Sequence, residues 1–364
     1  MYKYMKIQTP KKRLKSSGAL LFAKTNRTSR MDLAASWLAT GNKSQRQQNN
    51  IYRAIKETGM GDTIMKKKLF IIRAMSNIHC GVGQGIDDID LPTARETMTG
   101  FPVVPGSTVK GVLRDYFNNH TEDKEELWAA FGPEFADQAG NEHTSALMLT
   151  DARMLALPIR SFAGVFAYVT APLVLERLRR DLNQIPMRED LPEIPKLETE
   201  DAIVLPECEN LVGKKILLED LDLKANTDDT SWPEWVKFFI GENFFDKNWG
   251  IKIARPRFIL VSNDIFRFLC DTALPVVARI KINEETGTVQ QGGLWYEESL
   301  PAESILCGLV AATRSYRKSK EMSADKILEA FAEKELILQL GGNATTGKGL
   351  CSIGFASLEK SDEK

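Results

Sequence analysis

The chain has 364 residues, of which 43% are hydrophobic and 27% charged, and its formal net charge is −1 at pH 7. This length suits two domains or one elaborated domain, and the composition is that of a soluble globular protein. No apolar run approaches the ~20 residues of a membrane helix, and no apolar stretch near the start is long enough for a signal peptide. We therefore expect a cytoplasmic protein with no membrane contact.

Positive charge is concentrated at the start of the chain. Residues 1–64 carry 13 Lys and Arg against 3 Asp and Glu, a net charge of +10, so the other 300 residues carry 35 against 46, a net charge of −11. Such an arm can bind nucleic acid or an acidic partner, or it can be a solvated, disordered leader. The five cysteines form no CxxC pair and the three histidines complete no zinc spacing, so we expect neither a disulfide framework nor structural zinc.

The ordered elements are predicted to begin with a strand at residues 66–74, which is buried on both faces because its apolar residues do not alternate. Ser107 is predicted to cap a helix whose apolar positions recur at helical spacing as far as Phe117. Further elements follow in order. They are strands at 146–157 and 164–169, and a helix at 170–182 with Pro172 in its first turn.

Residues 183–210 interrupt this pattern. They hold four prolines and eight acids against two bases, without a sustained period. We interpret them as a projecting insertion rather than core. The later elements are predicted to be a strand at 257–262, a helix from Asn263, a hairpin of 276–282 with 289–298, a strand at 305–313, a helix at 323–333, and strands at 336–340 and 351–355.

The segment PGSTVKGVLR, residues 105–114, is a candidate anion site. Free amides at the start of a helix and the positive end of its dipole suit a phosphate. Lys110 and Arg114, four residues apart, lie on one flank of that helix. The segment is equally typical of an ordinary capped helix, so it depends on its neighbours for meaning.

The preceding loop, GIDDIDLP at residues 85–92, brings three aspartates together. Asp87, Asp88 and Asp90 can hold a divalent cation, or one carboxylate can act as a general base on a ribose hydroxyl. The same residues are also typical of a solvated turn, and they lack the calcium-loop spacing. His79, which has apolar neighbours, is more typical of a packed histidine than of a catalytic one.

A second glycine-rich loop, residues 341–349, fits the spacing of a nucleotide-binding P-loop from Gly342 to Lys348. However, Gly349 stands where a Ser or Thr is required, and only 15 residues follow it. We therefore predict a glycine turn between two final strands that brings amides and Lys348 to a polyanion.

In the segment LWYEE, residues 294–298, strand geometry places Trp295 and Glu297 on one face and Tyr296 and Glu298 on the other. We expect one face to be core and the other to present a tyrosine and an acid.

Together these segments resemble the RAMP superfamily of CRISPR proteins, and more narrowly the repeated backbone subunit of type III-B (Cmr) effector complexes. The resemblance extends in order from Met65 to about residue 358. It rests on IDLP (89–92), RE (95–96), TGFP (99–102), PGSTVKG (105–111), LTDAR (149–153), PIRS (158–161), GVFA (164–167), LWYEE (294–298) and LGGNATTGKG (340–349).

The resemblance implies an α+β fold with a ferredoxin-like (RRM-like) core and insertions that form a thumb and a helical subdomain. We place this RNA-binding core at residues 65–364, with 176–254 inserted and the thumb within 183–212. Residues 1–64 lie outside the resemblance, as a basic extension that is disordered, fused, or a real RNA- or subunit-binding arm.

The resemblance also implies a function. Several copies stack along a CRISPR guide RNA with other Cmr subunits, a thumb from each copy kinks the duplex, and single-stranded target RNA is cut at regular intervals. The reaction would need a divalent metal, magnesium or manganese. The family's catalytic aspartate, also the metal ligand, falls on Asp90, and its loop histidine falls on His79.

Further site residues follow from the same resemblance. Tyr296 and Glu297 are accessory candidates. The expected guide contacts are Ser107, Lys110, Arg114, Arg160, Gly341, Gly342, Gly347, Lys348 and Gly349. We also hypothesise that Lys110, Arg114, Arg153, Arg160 and Lys348 form one basic groove.

Two other functions stay open. The chain could be a non-catalytic scaffold that only coats the guide, against which Asp90 in its IDLP context argues. It could also be a guide-processing ribonuclease acting alone, an activity that usually requires a histidine positioned as a general acid or base.

Overall fold

The computed structural model describes residues 65–83, 89–133, 143–185, 191–241, 245 and 247–356. Its strands, in chain order, are β1 (Lys66–Ala74), β2 (Val103–Val104), β3 (Leu147–Leu149), β4 (Ala152–Arg160), β5 (Phe166–Thr170), β6 (Asp201–Val204), β7 (Leu211–Val212), β8 (Lys215–Leu218), β9 (Leu221–Asn226), β10 (Phe258–Val261), β11 (Val276–Ile282), β12 (Val289–Glu298), β13 (Ile305–Ala312), β14 (Leu336–Gln339) and β15 (Leu350–Ala356).

The α-helices are α1 (Gly106–His120), α2 (Lys124–Phe131), α3 (Pro172–Leu182), α4 (Trp232–Ile240), α5 (Lys247–Trp249), α6 (Asn263–Thr272) and α7 (Ala324–Phe331). A π-helical turn (Gly250–Ala254) and 3-10 turns (Arg255–Arg257 and Ala344–Thr346) complete the helical elements of the described chain. No helix in this part of the chain has the length and apolar character needed to cross a membrane.

Four antiparallel strands form the centre of the main sheet, in the order β15-β1-β13-β4. In chain order they read β1, β4, β13, β15, with α1 and α2 before β4 and α7 before β15. This is the βαββαβ arrangement of a ferredoxin-like core, and the fold is α+β. The apolar run of β1 explains its central place, because Leu69 to Ile72 are all buried.

The long segment between β4 and β13 widens this sheet. Beyond β4 the order continues β5-β10-β6-β9-β8-β7, and the described strands other than β11 and β12 make one 13-stranded sheet. Most neighbours are antiparallel, whereas β10 pairs with β5 and β6 pairs with β9 in parallel. The inserted residues therefore extend the core.

Helices α1, α2 and α7 join in one aromatic cluster. Phe117 of α1 lies 5.0 Å from Phe331 of α7, and Phe331 lies 5.4 Å from Phe131 of α2, between ring centroids. Val109 and Leu113, which belong to α1, are fully buried. The predicted apolar stripe of α1 is thereby confirmed.

Most predicted elements are found at or within a few residues of their predicted bounds, among them β1, α3 and both strands of the hairpin β11–β12. The predicted strand at 146–157 is instead two strands, β3 and β4. They separate at Thr150 and Asp151, where the Leu309 amide donates to the Thr150 hydroxyl at 2.9 Å.

The interpretation of residues 183–210 as a projection is wrong for their second half. Strand β6 lies in the main sheet between β10 and β9, and Ile203 and Val204 are buried. Asn210 is also buried, and its side-chain amide donates to the Ala163 carbonyl at 2.8 Å. The proline-rich composition conceals a short core strand whose partners lie elsewhere in the chain.

The hairpin of β11 and β12 forms a separate two-stranded sheet. Its apolar side chains are unusually open to solvent, including Val276, Ile280, Ile282 and Leu294 at 45–55% exposure. The hairpin, with both faces exposed along most of its length, is the element that stands apart from the main sheet.

Candidate functional site

Asp90 lies at the base of the exposed hairpin. Its Oδ2 accepts the backbone N–H of Tyr296 at 2.8 Å, and the carboxyl group is exposed. The next residue, Leu91, continues this contact as a short bridge to β12. Its N–H donates to the Tyr296 carbonyl, and its carbonyl accepts from Glu298, both at 3.0 Å. The strand thus fixes one carboxylate oxygen and leaves the group facing solvent. Asp87 and Asp88 lie outside the described residues.

His79 is packed between the two candidate loops. It is 8% exposed, and its Nδ1 lies 2.7 Å from the Glu298 carbonyl oxygen. A carbonyl can only accept, so Nδ1 carries the proton and Nε2 is the unprotonated nitrogen in the neutral ring. The His79 carbonyl accepts the Gly342 N–H at 2.9 Å. His79 and Asp90 are therefore bonded to two residues of β12, Glu298 and Tyr296, that lie two positions apart. The histidine also connects that strand to the glycine loop, residues 340–349.

The glycine loop joins β14 to β15, as predicted in place of a P-loop. Gly341, Asn343, Gly347 and Gly349 all have φ between 64° and 81°. Two of these glycines are crowded by backbone. A side chain at Gly341 would clash with the His79 carbonyl, and one at Gly349 would clash with the Leu340 carbonyl. The loop can adopt this shape because glycine, which has no Cβ, permits both the positive φ and these close approaches.

Alanine at Gly349 should be far more damaging than alanine at Gly347. Both glycines have φ near +80°, so both variants carry the left-handed strain of about 1–2 kcal/mol. Only Gly349→Ala adds a clash with backbone, since Gly347 has open space around it. We expect Gly349→Ala to lower the free energy of unfolding by about 1–3 kcal/mol more than Gly347→Ala, measured by urea denaturation. Equal losses would contradict the packing of this loop.

Glu297, an accessory candidate, is 2% exposed and sits in a buried charge cluster. Its carboxylate accepts from the Lys348 ammonium, and the Arg279 Nε lies 3.7 Å away. Burial acts to raise the pKa of Glu297, but the hydrogen bond from Lys348 and the nearby positive charges outweigh it and lower that pKa below its ordinary value. Glu297 thus stays ionised and ties the glycine loop to β12.

Glu298 is also buried, contrary to the expectation that one face of LWYEE presents a tyrosine and an acid. Its carboxylate accepts from Arg95 at 2.7 Å and from the Thr93 amide at 3.0 Å. Of the two acids and the tyrosine, only Tyr296 is open to solvent, at 44%. Both acids therefore position the loops rather than face a substrate.

The start of α1 differs from the prediction. The helix begins at Gly106, with Pro105 as N-cap residue and no side-chain cap, so Ser107 lies within the first turn. The Gly106 amide donates to the Asp151 carboxylate at 2.8 Å. The N–H that was expected to bind a phosphate is thus hydrogen-bonded to a carboxylate 45 residues later in the sequence. The glycine is needed because a Cβ at 106 would lie 2.7 Å from the Leu149 carbonyl oxygen.

The cations expected to grip RNA are largely engaged within the protein. Lys110 donates to the Ser145 hydroxyl at 2.7 Å, and its pKa is lowered by burial and then by the charge of Arg114. Three others are paired with carboxylates, namely Lys348 with Glu297, Arg153 with Asp181, and Arg160 with Glu219. Four of the five cations of the predicted basic groove therefore have partners within the protein, and their contact with RNA stays a prediction.

Two supporting residues were not singled out by the sequence as site residues. Arg279 and Arg95 hold the two buried acids of β12. Arg279 could have been found from the hairpin register, because it stands opposite Trp295, two residues from Glu297, and such diagonal neighbours interact. Arg95 belongs to a segment that carries the family resemblance, but no local pattern marked it as the partner of Glu298.

Comparison with known proteins gives consistent matches. The model of the RAMP superfamily matches residues 71–352. The chain is 37% identical over 290 residues to the "CRISPR system Cmr endoribonuclease Cmr4" of Pyrococcus furiosus, which covers 79% of this chain and 95% of that protein. It is 26% identical over 311 residues to the "CRISPR system CMR subunit Cmr4" of Saccharolobus solfataricus, with the same coverage of 79% and 95%. The crystal structure of oligomeric Cmr4 from P. furiosus superposes with a TM-score of 0.61 and 28% identity, over 80% of this chain and 98% of that one.

Proposed function

Because this chain belongs to the RAMP superfamily, we propose that it is the repeated backbone subunit of a type III-B CRISPR effector complex. In this role it holds a guide RNA together with further copies of itself and other Cmr subunits, and it cuts complementary target RNA. The observation that carries the proposal is the placement of Asp90, exposed and anchored by the Tyr296 amide beside the exposed hairpin. A relative that shares 37% identity is named an endoribonuclease.

Asp90 is the residue to which we assign the chemistry. One of its oxygens is oriented by the Tyr296 amide. The second can accept the proton of a ribose 2′-hydroxyl, whose oxygen would attack the adjacent phosphorus and form a 2′,3′-cyclic phosphate. The bond from that phosphorus to the 5′-oxygen of the next nucleotide would break, and this oxygen would leave as a 5′-hydroxyl with a proton from water. His79 is a positioning residue in this scheme, because its ring is buried and bonded to the Glu298 carbonyl. Glu297 acts likewise by holding Lys348 and the glycine loop in place.

The exposed hairpin β11–β12 is our candidate for the thumb, in place of residues 183–212. It forms its own sheet, and its apolar side chains are open to solvent. Part of 183–212 is core strand instead. Since Asp90 is bonded to β12, a thumb at this position would set the cut beside the kink that it makes in the duplex.

A divalent metal fits this site only with help from the RNA. Among the described residues, no three His, Cys, Asp or Glu side chains lie together as a metal site. Magnesium, however, is commonly held by one or two carboxylates together with substrate phosphates. Asp90 would supply the carboxylate, and the ion would stabilise the charge that develops on the phosphate.

We expect chelation to stop cutting without releasing the guide. EDTA should lower the rate of target cleavage to background, and added magnesium or manganese should restore it. Guide binding measured by filter retention should be unchanged, because the protein's own contacts hold the guide. Undiminished cleavage in EDTA would contradict the metal requirement and leave Asp90 as a base acting alone.

The proposed function itself is tested with the whole complex. Wild-type chain assembled on a guide with its partner subunits should cut RNA complementary to the guide and spare a scrambled RNA of equal length. Cutting of both RNAs would contradict guide-directed activity, and cutting of neither would favour a scaffold role.

A further inference from the structure

The exposed hairpin β11–β12 enters and leaves the body of the protein at one place. Its first root, residues 271–276, joins the end of α6 to β11, and its second root, residues 298–299, ends β12. The two roots are neighbours, because the Ser299 N–H donates to the Pro275 carbonyl at 3.0 Å. Whatever holds both roots therefore fixes the direction in which the hairpin leaves the body.

One guanidinium reaches both roots. Arg95 donates from Nη2 to Glu298 Oε1 at 2.7 Å, in the second root, and its Nη1 lies 3.3 Å from Asp271 Oδ1, in the first. The same Nη1 donates to the Gly100 carbonyl at 2.9 Å. Among the described ion pairs, Arg95 is the residue that is paired with both roots. We call Arg95, Glu298 and Asp271 the joint.

The joint is continuous with the segment that carries Asp90. That segment runs beside the end of β12, where Asp90 accepts the Tyr296 N–H at 2.8 Å and the Thr93 N–H donates to Glu298 Oε2 at 3.0 Å. Arg95 follows in the same segment and binds the other oxygen of that carboxylate. Glu298, which is 2% exposed, is therefore the point where the hairpin and the Asp90 segment are tied together.

The two ion pairs of the joint differ in strength. The side chains of Arg95 and Glu298 are 23% and 3% exposed, so water screens their attraction only weakly. The side chain of Asp271 is 48% exposed, so its pair with Arg95 is weaker. A guanidinium suits this place because its N–H donors point in fixed directions and can hold acceptors on three segments at once. A lysine ammonium cannot fix these directions.

Other charged contacts near the hairpin reach only one root or one strand. Lys348 is paired with Glu297 of β12. Arg267 of α6 lies 3.8 Å from Asp271, and it is paired with no residue of β12 among the described ion pairs. Neither contact ties the two roots to each other. Arg95 is therefore the side chain on which the angle between the hairpin and the neighbouring segment depends.

We propose that Arg95 is a positioning residue that fixes the hairpin relative to Asp90 and thereby sets which phosphate of the target is cut. Asp90 acts on the phosphate beside its carboxylate, whereas the hairpin contacts the duplex farther along. If the angle between them varied, different phosphates would come within reach in different molecules. A fixed joint gives one cut position for each copy. This inference rests on the proposed function, because it assigns a role in the reaction proposed for Asp90.

Mapping of the cut ends at single-nucleotide resolution tests the role in cutting. Arg95→Lys keeps a positive charge beside Glu298, so we expect this variant to fold and to bind guide and target RNA as wild type does. Its single-turnover rate constant should fall by about 10- to 100-fold, since a small misplacement costs this much, and each cut should spread over neighbouring phosphates. Arg267→Lys is the matched control, because it alters the other cation near Asp271. It should cut like wild type in rate and position.

A distance measurement tests the joint without relying on cleavage. Spin labels at Thr286→Cys, in the hairpin turn, and at Glu122→Cys, between α1 and α2, report the orientation of the hairpin. Both positions are exposed, whereas the five native cysteines are buried. In the full chain, the distribution of label distances should be wider with Arg95→Lys than in wild type. It should be unchanged with Arg267→Lys.

The outcomes separate this inference from the proposed function. Sharp cuts by Arg95→Lys at the wild-type positions would overturn its role in setting the cut. An unchanged distance distribution would overturn the joint itself. If wild type cut no target RNA, the proposed function would fail and the role in cutting with it, while a wider distribution in the variant would still support the joint.

A second variant guards against a change that is too mild. Arg95→Gln combined with Glu298→Gln removes both charges, so no unpaired charge is left buried. We expect wider label distances and more widely spread cuts than with Arg95→Lys. Wild-type distances and sharp cuts from this double variant would also overturn the proposal.

Discussion

Replacing Asp90 by asparagine should lower the rate of target-RNA cleavage by about 10²- to 10⁴-fold, the usual contribution of a positioned general base. Asparagine keeps an oxygen to accept the Tyr296 amide, so the loop geometry is retained. It removes only the ability to take up a proton or to offer a charged ligand. The measurement is the single-turnover rate constant of the assembled complex with saturating target.

Guide affinity and thermal stability should match wild type in this variant, since Asp90 is exposed and its only described hydrogen bond is retained. Asp87→Asn and Asp88→Asn are the matched controls, because these aspartates share the loop but are not assigned to the chemistry. We expect their rates to stay within about tenfold of wild type, which is less than the loss of a general base. A variant at Asp90 that cuts normally would refute its assignment and direct attention to these two neighbours.

Breaking the buried pair of Lys348 and Glu297 should be among the most destabilising single changes near the site. Their side chains are 12% and 3% exposed. Lys348→Met removes the closest cation from a buried carboxylate, and among the described ion pairs only that with Arg279, 3.7 Å away, then remains. We expect a loss of about 3 kcal/mol or more in the free energy of unfolding, and a similar loss for Glu297→Gln. Urea denaturation of both variants and of the double variant measures the coupling, and the double variant should lose less than the sum.

An exposed pair serves as the control for this prediction. Lys215 and Asp222 lie 3.1 Å apart, with side chains 60% and 64% exposed. Lys215→Met should change stability by less than about 1 kcal/mol, because solvent screens such pairs. If Lys348→Met were equally mild, the buried cluster would not hold the glycine loop.

The pH dependence of stability should differ in the Glu297 variant. The folded-state pKa of Glu297 is lowered from its ordinary value of 4.5. A lowered pKa contributes stability above the unfolded value, and this contribution is lost as the pH falls through the folded value. Glu297→Gln should therefore lose less stability than wild type between neutral pH and the region below 4.5.

The same pair changes what Lys348 is expected to do for RNA binding. Each phosphate contact contributes about 0.7–0.9 to the slope of log affinity against log salt. Because Glu297 already neutralises Lys348, we expect Lys348→Met to change the salt slope of guide binding by less than the contribution of one phosphate contact.

Local sequence patterns predicted most of the elements because their causes are local. The bounds of β1 follow from one apolar run, and those of β11 and β12 follow from two strand-forming segments on either side of a glycine turn. The order of the core strands also agreed with the fold implied by the resemblance. These features need no knowledge of distant residues.

The errors arose where a distant residue decides the outcome. Ser107 was predicted to cap α1, but the first amide of the helix, that of Gly106, donates instead to the carboxylate of Asp151, 45 residues later in the sequence. The partner of Lys348 was missed as well, since the lysine predicted to contact RNA is paired with a glutamate 51 residues away. Strand β6 was hidden in an acidic, proline-rich segment because only its pairing with β10 and β9 makes it a strand. No spacing rule within a loop can reveal such partners.

The positions of the cuts on the target RNA test the central claim most directly. A wild-type complex, loaded with one guide and given a complementary RNA labelled at one end, should produce a ladder of ends at regular intervals set by the copies along the guide. The same complex made with the Asp90→Asn variant should bind the RNA and leave it whole. A single cut, irregular ends, or an unchanged ladder from the variant would contradict the account of this chain as the repeated, RNA-cutting subunit.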